Sequence, residues 1–265
     1  MPEGDAVWRT AQRLAKALDG QTLVHTDFRV PQHATADLSG GTVVETVSRG
    51  KHLLTRIDGG PDADTRWTLH THLKMEGSWR VYRRGERWTK AGSLARVVLD
   101  VGLRSAVGFQ LGIVELLPRE REDDVVGHLG PDLLGPDWDE EEAVRRLTAD
   151  PARPLGEALL DQRNLAGIGT IYRTELCFLT GYDPRSPVGV VADPLRMVRL
   201  AHRMLLQNRQ LPQICTTGDK RRGHSLWIYG RGTERCLRCG TPVERGELGE
   251  QRRVAYWCPS CQPPR

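Results

Sequence analysis

Near the end of the chain, Cys236-Leu-Arg-Cys239 and Cys258-Pro-Ser-Cys261 form two C-x2-C pairs with 18 residues between them. Thiolates on two such knuckles close a tetrahedral zinc site of the ribbon type, and with four sulfurs no position is left for a reactive water. The Zn2+ expected here is therefore structural, one per chain. Two disulfides or a redox motif fit the same residues, but a reducing compartment disfavours them. A tail of about forty residues has too little core to fold alone, so the metal would hold it together. Cys177 and Cys215 fall outside the pattern and read as buried or partly buried thiols.

Between the knuckles, "GEQRRVAYWC" sets Arg252 and Arg253 ahead of alternating apolar and aromatic residues, as on one strand of a hairpin. Arginines presented this way suit phosphate through paired N–H donors, although a solvated basic turn has the same composition. Upstream, "LDQRNLAGIGTIYRTELCF" at 160–178 sets two helical stretches around Gly167-Ile168-Gly169, the second starting at about Thr170. A glycine turn leading into a helix offers backbone N–H groups and a positive helix end to phosphate. Two helices also simply need such a turn. Beside an arginine-bearing ribbon, the combination reads as a nucleic-acid grip. His70 and His72 share a strand face at i, i+2 spacing and are read as polar strand residues near DNA in preference to a metal pair.

These groups need elements to carry them. Val7, Ala11, Leu14, Ala15 and Leu18 recur at helical spacing and predict an amphipathic helix closing near Asp19-Gly20. Period-two alternation follows in 42–47, 52–57, 67–73, 94–101 and 106–116, separated by Gly-, Pro- and Asp-rich turns, which predicts a sandwich. The acidic, Gly- and Pro-rich stretch 118–137 reads as a linker. Helical patterning then predicts helices over 139–148, 154–163, 169–180 and 193–207, the last beginning at Asp193-Pro194.

Composition narrows the partners. With 38% hydrophobic and 27% charged residues, no apolar run approaches the about 20 residues of a membrane helix. Charged residues interrupt the first twenty positions, so no export signal is expected. The net charge of +4 is unevenly spread. Residues 120–150 hold eleven acids against three bases, whereas 219–265 hold ten bases against five acids. That asymmetry points to a polyanion at one end, or to a solvated surface.

"MPEGD", "SRGKHLL", "HTHLKMEGSWRV", "LGPDLL", "LDQRNLAGIGTIYRTELCF" and "YGRGTERCLRCG…YWCPSCQ" stand in the order found in the formamidopyrimidine-DNA glycosylase and endonuclease VIII family, which the chain resembles from end to end. The resemblance implies an α+β multidomain protein. Its expected parts are an N-terminal catalytic β-sandwich with a flanking helix (1–118), a linker (119–137), a helix-two-turn-helix domain (138–222) and a zinc-ribbon hairpin (223–265). It implies a bifunctional glycosylase and abasic-site lyase of base-excision repair, acting as a monomer on damaged double-stranded DNA in the cytoplasm, at the nucleoid if bacterial.

By the same resemblance, removal of Met1 frees the secondary amine of Pro2. An α-amino group has a reference pKa of about 7.7–8.0, so part of it is unprotonated at neutral pH and able to attack the sugar C1′. Glu3 serves as general acid/base, Lys51 contacts phosphate and assists catalysis, and Arg253 clamps phosphates around the lesion. A flipped base leaves a gap in the stack, which Met75 fills. Asn164, Gly169, Thr170, His72 and Arg252 complete the expected DNA contacts. Thr170 replaces the asparagine usual in the family turn, and Ala6 stands where many relatives carry glutamate. "GLRSAVGFQLG" lacks the Arg and Phe pair that formamidopyrimidine-type enzymes insert opposite the lesion, despite Arg104 and Phe109 nearby. Endonuclease VIII chemistry on oxidised pyrimidines, ending in β,δ-elimination, is therefore expected over 8-oxoguanine removal. A DNA- or RNA-binding protein that has lost the chemistry is the competing reading.

Overall fold

The apolar stripe Val7, Ala11, Leu14 and Leu18 becomes the buried face of helix α1 (Gly4–Leu18) in the computed structural model, which describes residues 2–265. The expected removal of Met1 lies outside the described residues. The chain folds as two compact units that divide between His128 and Leu129.

The first unit holds two four-stranded antiparallel sheets. In one, β2 (Thr42–Arg49), β3 (His52–Asp58), β4 (Arg66–His72) and β8 (Ile113–Pro118) lie in the order β2-β3-β4-β8. The other runs β1-β6-β7-β5, from β1 (His25–Phe28), β5 (Ser78–Arg83), β6 (Ala95–Asp100) and β7 (Arg104–Phe109). Leu53, Ile57, Leu69 and Val114 of the first sheet share one core with Phe28, Val97, Leu99 and Ala106 of the second and with the α1 stripe. This is the expected sandwich with its flanking helix.

The strand read at 106–116 is two strands in different sheets, β7 and β8, divided at Gln110-Leu111-Gly112. Gln110 turns the chain at φ +49°, but Leu111 is itself buried in the core, so the apolar pattern runs through the break unchanged. Strands β1 and β5 escaped the reading. The first has four residues, and the second is an edge strand whose exposed Arg80 and Arg83 mask its alternation.

The stretch expected as a linker, within which the two units divide, carries fastened structure. It opens with a 3-10 turn and the short helix α2 (Asp123–Val126). Glu122 accepts two N–H bonds from Arg56, at 2.8 and 2.7 Å, and the Thr68 hydroxyl. Leu129 and Leu133 are buried. Acidic residues and glycines gave the stretch a loop composition, although its carboxylate and leucines have partners.

In the second unit, Asp139 caps α3 (Glu140–Leu147) by accepting the Glu141 and Glu142 N–H groups, and Asp193 caps α6 (Pro194–Asn208) through Arg196 N–H. Between them lie α4 (Leu155–Leu160) and α5 (Thr170–Thr180). Helix α4 stops three residues short of the expected 163. Asp161 ends it by accepting the Arg163 backbone N–H and the side chains of Arg153 and Arg163. The unit closes with the hairpin of β9 (Glu244–Leu248) and β10 (Arg253–Trp257). Among the described residues no helix is long and apolar enough to cross a membrane.

Leu14→Ala or Leu69→Ala opens a cavity in the sandwich core and is expected to cost about 2–5 kcal/mol in urea unfolding, whereas Leu103→Ala, at a position 85% exposed, should stay within about 0.5 kcal/mol.

Candidate active site

Helix α1 begins the first half of the site. Pro2 is half-buried, and Glu3 is the helix N-cap at 3% exposure, its carbonyl accepting the Ala6 and Val7 N–H groups at 2.9 and 3.1 Å. The Glu3 carboxylate does not cap the helix, so it stands beside the positive end of a 15-residue dipole without being consumed by it. Asp5, in the same turn, is buried and bonds Arg9 at 2.9 Å. Burial pushes its carboxyl up, against the opposing pull of Arg9.

Lys51 occupies the turn between β2 and β3, just past the final Arg49↔His52 pair, and is 6% exposed. Gly20 N–H bonds Val43 O and Val43 N–H bonds Gln21 O, which ties the end of α1 to the start of β2. From there the helix packs chiefly along β2. Helix and strand span about 22 and about 26 Å, so both carry their other ends to the same region. Pro2 and Glu3 therefore share one end of this unit with Lys51.

Behind this end lies a group of histidines. His52 Nδ1 is 2.8 Å from His70 Nε2, and His70 Nδ1 is 2.7 Å from Glu115 Oε2. The His72 and His128 rings lie 5.0 and 6.3 Å from that of His52. Burial, reinforced by neighbouring cationic groups, pushes His52 down to about 3 and His72 down to about 4, and burial lowers His70 as well. His70 and His72, expected as polar strand residues near DNA, are both buried in this group. His72 is 7% exposed, and its Nδ1 accepts the Lys74 N–H, bracing the β4–β5 turn from within. Met75, at the tip of that turn, is 64% exposed.

The second unit carries the remaining candidates. Gly169 is the N-cap of α5 and Thr170 its first residue. The glycine turn is stitched by Gln162, which accepts the Gly167 N–H and donates to the carbonyls of Leu160 and Ile168. Asn164 is half-buried and donates to Ala158 O at 3.0 Å. Arg252 sits at φ +48° in the hairpin turn and pairs with Glu247 at 2.5 Å. Exposed Arg253 opens β10 and rests on Gln251.

The four Sγ atoms of Cys236, Cys239, Cys258 and Cys261 lie within 4.8 Å of one another and are placed to hold a metal ion. The Cys236–Cys261 and Cys239–Cys258 separations of 4.0 and 3.4 Å bracket the about 3.8 Å edge of a tetrahedral zinc–thiolate site. Cys177 is buried outside the cluster and burial pushes its thiol up to about 12, while Cys215 is half-buried.

Sequence reading missed Glu175 and Arg173. The Glu175 carboxylate, at 0% exposure, accepts the backbone N–H groups of Trp227, Ile228 and Tyr229 and the Thr216 hydroxyl. Arg173 donates to Val254 O at 2.5 Å. Their signal was present as two charges within "YRTELCF", on the stripe where a helix needs apolar residues.

Residues 1–110 match the formamidopyrimidine-DNA glycosylase N-terminal domain. The chain is 52% identical to the probable endonuclease 8 2 of Streptomyces coelicolor, over 99% of this chain and 94% of that protein. It is 50% identical to the DNA-(apurinic or apyrimidinic site) lyase Nei2 of Mycolicibacterium smegmatis, over 99% of each. The Lactococcus lactis Fpg in complex with an abasic site containing DNA shares the fold, with a TM-score of 0.78 and 22% identity over 98% of this chain and 99% of that one. The chain belongs to the formamidopyrimidine-DNA glycosylase and endonuclease VIII family, in its endonuclease VIII branch.

The buried histidines set a pH dependence. Their folded-state values lie below the ordinary 6.5, so the unfolded chain binds protons first on acidification. Their contribution to stability is complete above about pH 6.5 and is lost as pH falls towards about 4. Thermal melts should drop between pH 7.5 and 5, and His52→Gln should flatten that drop.

Proposed function

We propose that the chain is a bifunctional DNA glycosylase and abasic-site lyase of base-excision repair, with Pro2 as nucleophile. The observation that carries this reading is the meeting of Pro2, Glu3 and buried Lys51 at one end of the first unit, in a chain half identical to a protein named as an abasic-site lyase.

Once Met1 is removed, the Pro2 nitrogen attacks C1′ of the damaged nucleotide. The C1′–base bond breaks, its electron pair leaves with the base, and the base takes a proton. The bonded nitrogen loses its proton, its lone pair expels O4′ from C1′, O4′ takes a proton, and the ring-opened sugar is then held as an iminium on Pro2. Its positive charge acidifies the C2′ proton, whose loss expels the 3′ phosphate, and a second elimination expels the 5′ phosphate. Glu3 moves protons at the sugar. Its position at the helix N-cap, with the side chain left out of capping, suits that work. Buried Lys51 supplies a fixed positive charge to a phosphate beside the scissile sugar.

The remaining candidates hold DNA. Exposed Met75 fills the space of the flipped nucleotide. The α5 end at Gly169 and Thr170, with Asn164 in the same turn region, accepts a backbone phosphate. Arg253, with Arg252 beside it, clamps phosphate from the hairpin. Zinc is the metal that best suits four thiolates at these separations, and its work is to hold the hairpin that presents Arg253.

Oxidised pyrimidines are the proposed substrates. Phe109, the aromatic nearest the β7–β8 turn, is buried against Tyr82 and Trp88, leaving no phenylalanine there to enter DNA opposite a lesion. Thymine glycol and dihydrouracil should be excised faster than 8-oxoguanine, and the reverse ranking overturns the assignment.

Borohydride with abasic-site DNA should trap a covalent adduct, lost in Pro2→Gly, while Glu3→Gln slows base excision by about 10²–10⁴-fold. An undiminished adduct from Pro2→Gly removes the proposed nucleophile. Stripping the metal with a chelator should release one zinc per chain and lower DNA affinity. A chain that purifies without zinc and binds DNA fully refutes the structural role.

A further inference from the structure

The proposed chemistry leaves idle a set of cations on the outer face of α1. Arg9, Arg13 and Lys16 stand there at i, i+4 and i+7, one stripe of the helix, pointing away from the Val7, Ala11 and Leu14 stripe. The edge strand β5 adds Arg80, whose charge acts directly on that of Arg13. Arg83 pairs across the sheet with Arg104, and Arg104 donates to the Lys16 carbonyl at 3.4 Å, joining the strand cations to the end of the helix stripe. All six lie in the first unit, and all but Arg9 are exposed.

Charge of one sign is not left crowded on a surface without cost. Arg9 is paired with Asp5, but among the described residues none of the other five takes part in an ion pair. Arg56, Arg145, Arg163 and Arg199 elsewhere in the chain are each matched by a carboxylate, whereas here five neighbouring cations share one face without one. The Arg13 side chain, although exposed overall, is partly desolvated, and this with the Arg80 and Arg9 charges beside it lowers its proton affinity, so an incoming anion relieves existing repulsion. Five of the six are guanidiniums, whose paired donors match phosphate oxygens better than they match a diffuse negative field. Arg13 and Lys16 stand about 15 and about 20 Å along the helix from Glu3, away from the end that holds the damaged nucleotide.

We propose that this face binds a second segment of double-stranded DNA through its phosphates, separate from the duplex held at Pro2. The protein would thereby hold two stretches of DNA at once and pass between them without letting go.

The test uses the full chain trapped by borohydride on a short abasic-site duplex, to which a labelled undamaged duplex of about 30 bp is added. The trapped complex should bind the second duplex with a Kd of about 10⁻⁴–10⁻⁶ M, typical of contacts to phosphate alone. In Arg13→Gln/Lys16→Gln/Arg80→Gln, the slope of log K against log salt should shrink by about 2.7, while cleavage of the short duplex is unchanged. A trapped complex that ignores the second duplex overturns the proposal, as does an unaltered slope in the triple variant. Tighter binding of poly-glutamate than of duplex also overturns it, in favour of an acidic protein partner. Failure to form the trapped adduct at all counts against Pro2 as nucleophile, and the wild-type and triple-variant slopes measured on undamaged DNA alone then decide this surface independently.

Discussion

A single buried carboxylate organises the second unit. Glu175 sits in the middle of α5 with no solvent contact and four donors, three of them consecutive backbone N–H groups of residues 227–229. Removing a charge from water costs several kcal/mol unless its lone pairs are filled, so the strap from Thr216 to Tyr229 is held wherever α5 goes. That strap leads directly into the first cysteine knuckle. Arg173, just before Glu175 on α5, reaches the carbonyl of Val254 in β10, and the Arg238 guanidinium lies 4.3 Å over the ring of Phe178. The helix that offers its N-terminus at Thr170 thus also fixes the hairpin that presents Arg253. The two elements proposed to hold phosphate, far apart in sequence, share one support.

The first unit solves a comparable problem by other means. The proposed chemistry rests on the first residues of the chain, where backbones ordinarily fray. Here α1 begins at Gly4, buries its stripe in the sandwich core, and is tied at its far end to β2, which leaves Pro2 little freedom to wander. Behind it the histidines stay neutral because burial outweighs the Glu115 carboxylate beside His70. A neutral His72 can accept the Lys74 N–H, and through that bond the interior shapes the turn that carries Met75.

Much of this was legible beforehand, for identifiable reasons. The cysteine spacing, the Asp193-Pro194 helix start and the α1 stripe are local signals, complete within a few residues. The 119–137 stretch and the β7–β8 break were illegible because their meaning is non-local. Glu122 looks like one more acid in an acidic run until Arg56 and Thr68 are brought to it, and Leu111 continues an alternation whose interruption lies in the backbone. The burial of His72 was equally illegible, because the Lys74 N–H and the His52 ring that meet it are brought there only by the fold. Glu175 and Arg173 show the opposite failure, since charges in an apolar helix stripe signal burial with partners but do not say which partners.

Two close approaches govern the turn bearing Met75. A Cβ at Gly77 would overlap the Leu73 carbonyl oxygen, and one at Gly112 would overlap Lys74 Cγ, while Lys74 itself holds φ +50°. The loop is consequently clamped on both flanks by approaches that admit no larger residue. Two missing methyl groups thus shape the turn, and with it the reach of the methionine proposed to enter a stack of bases.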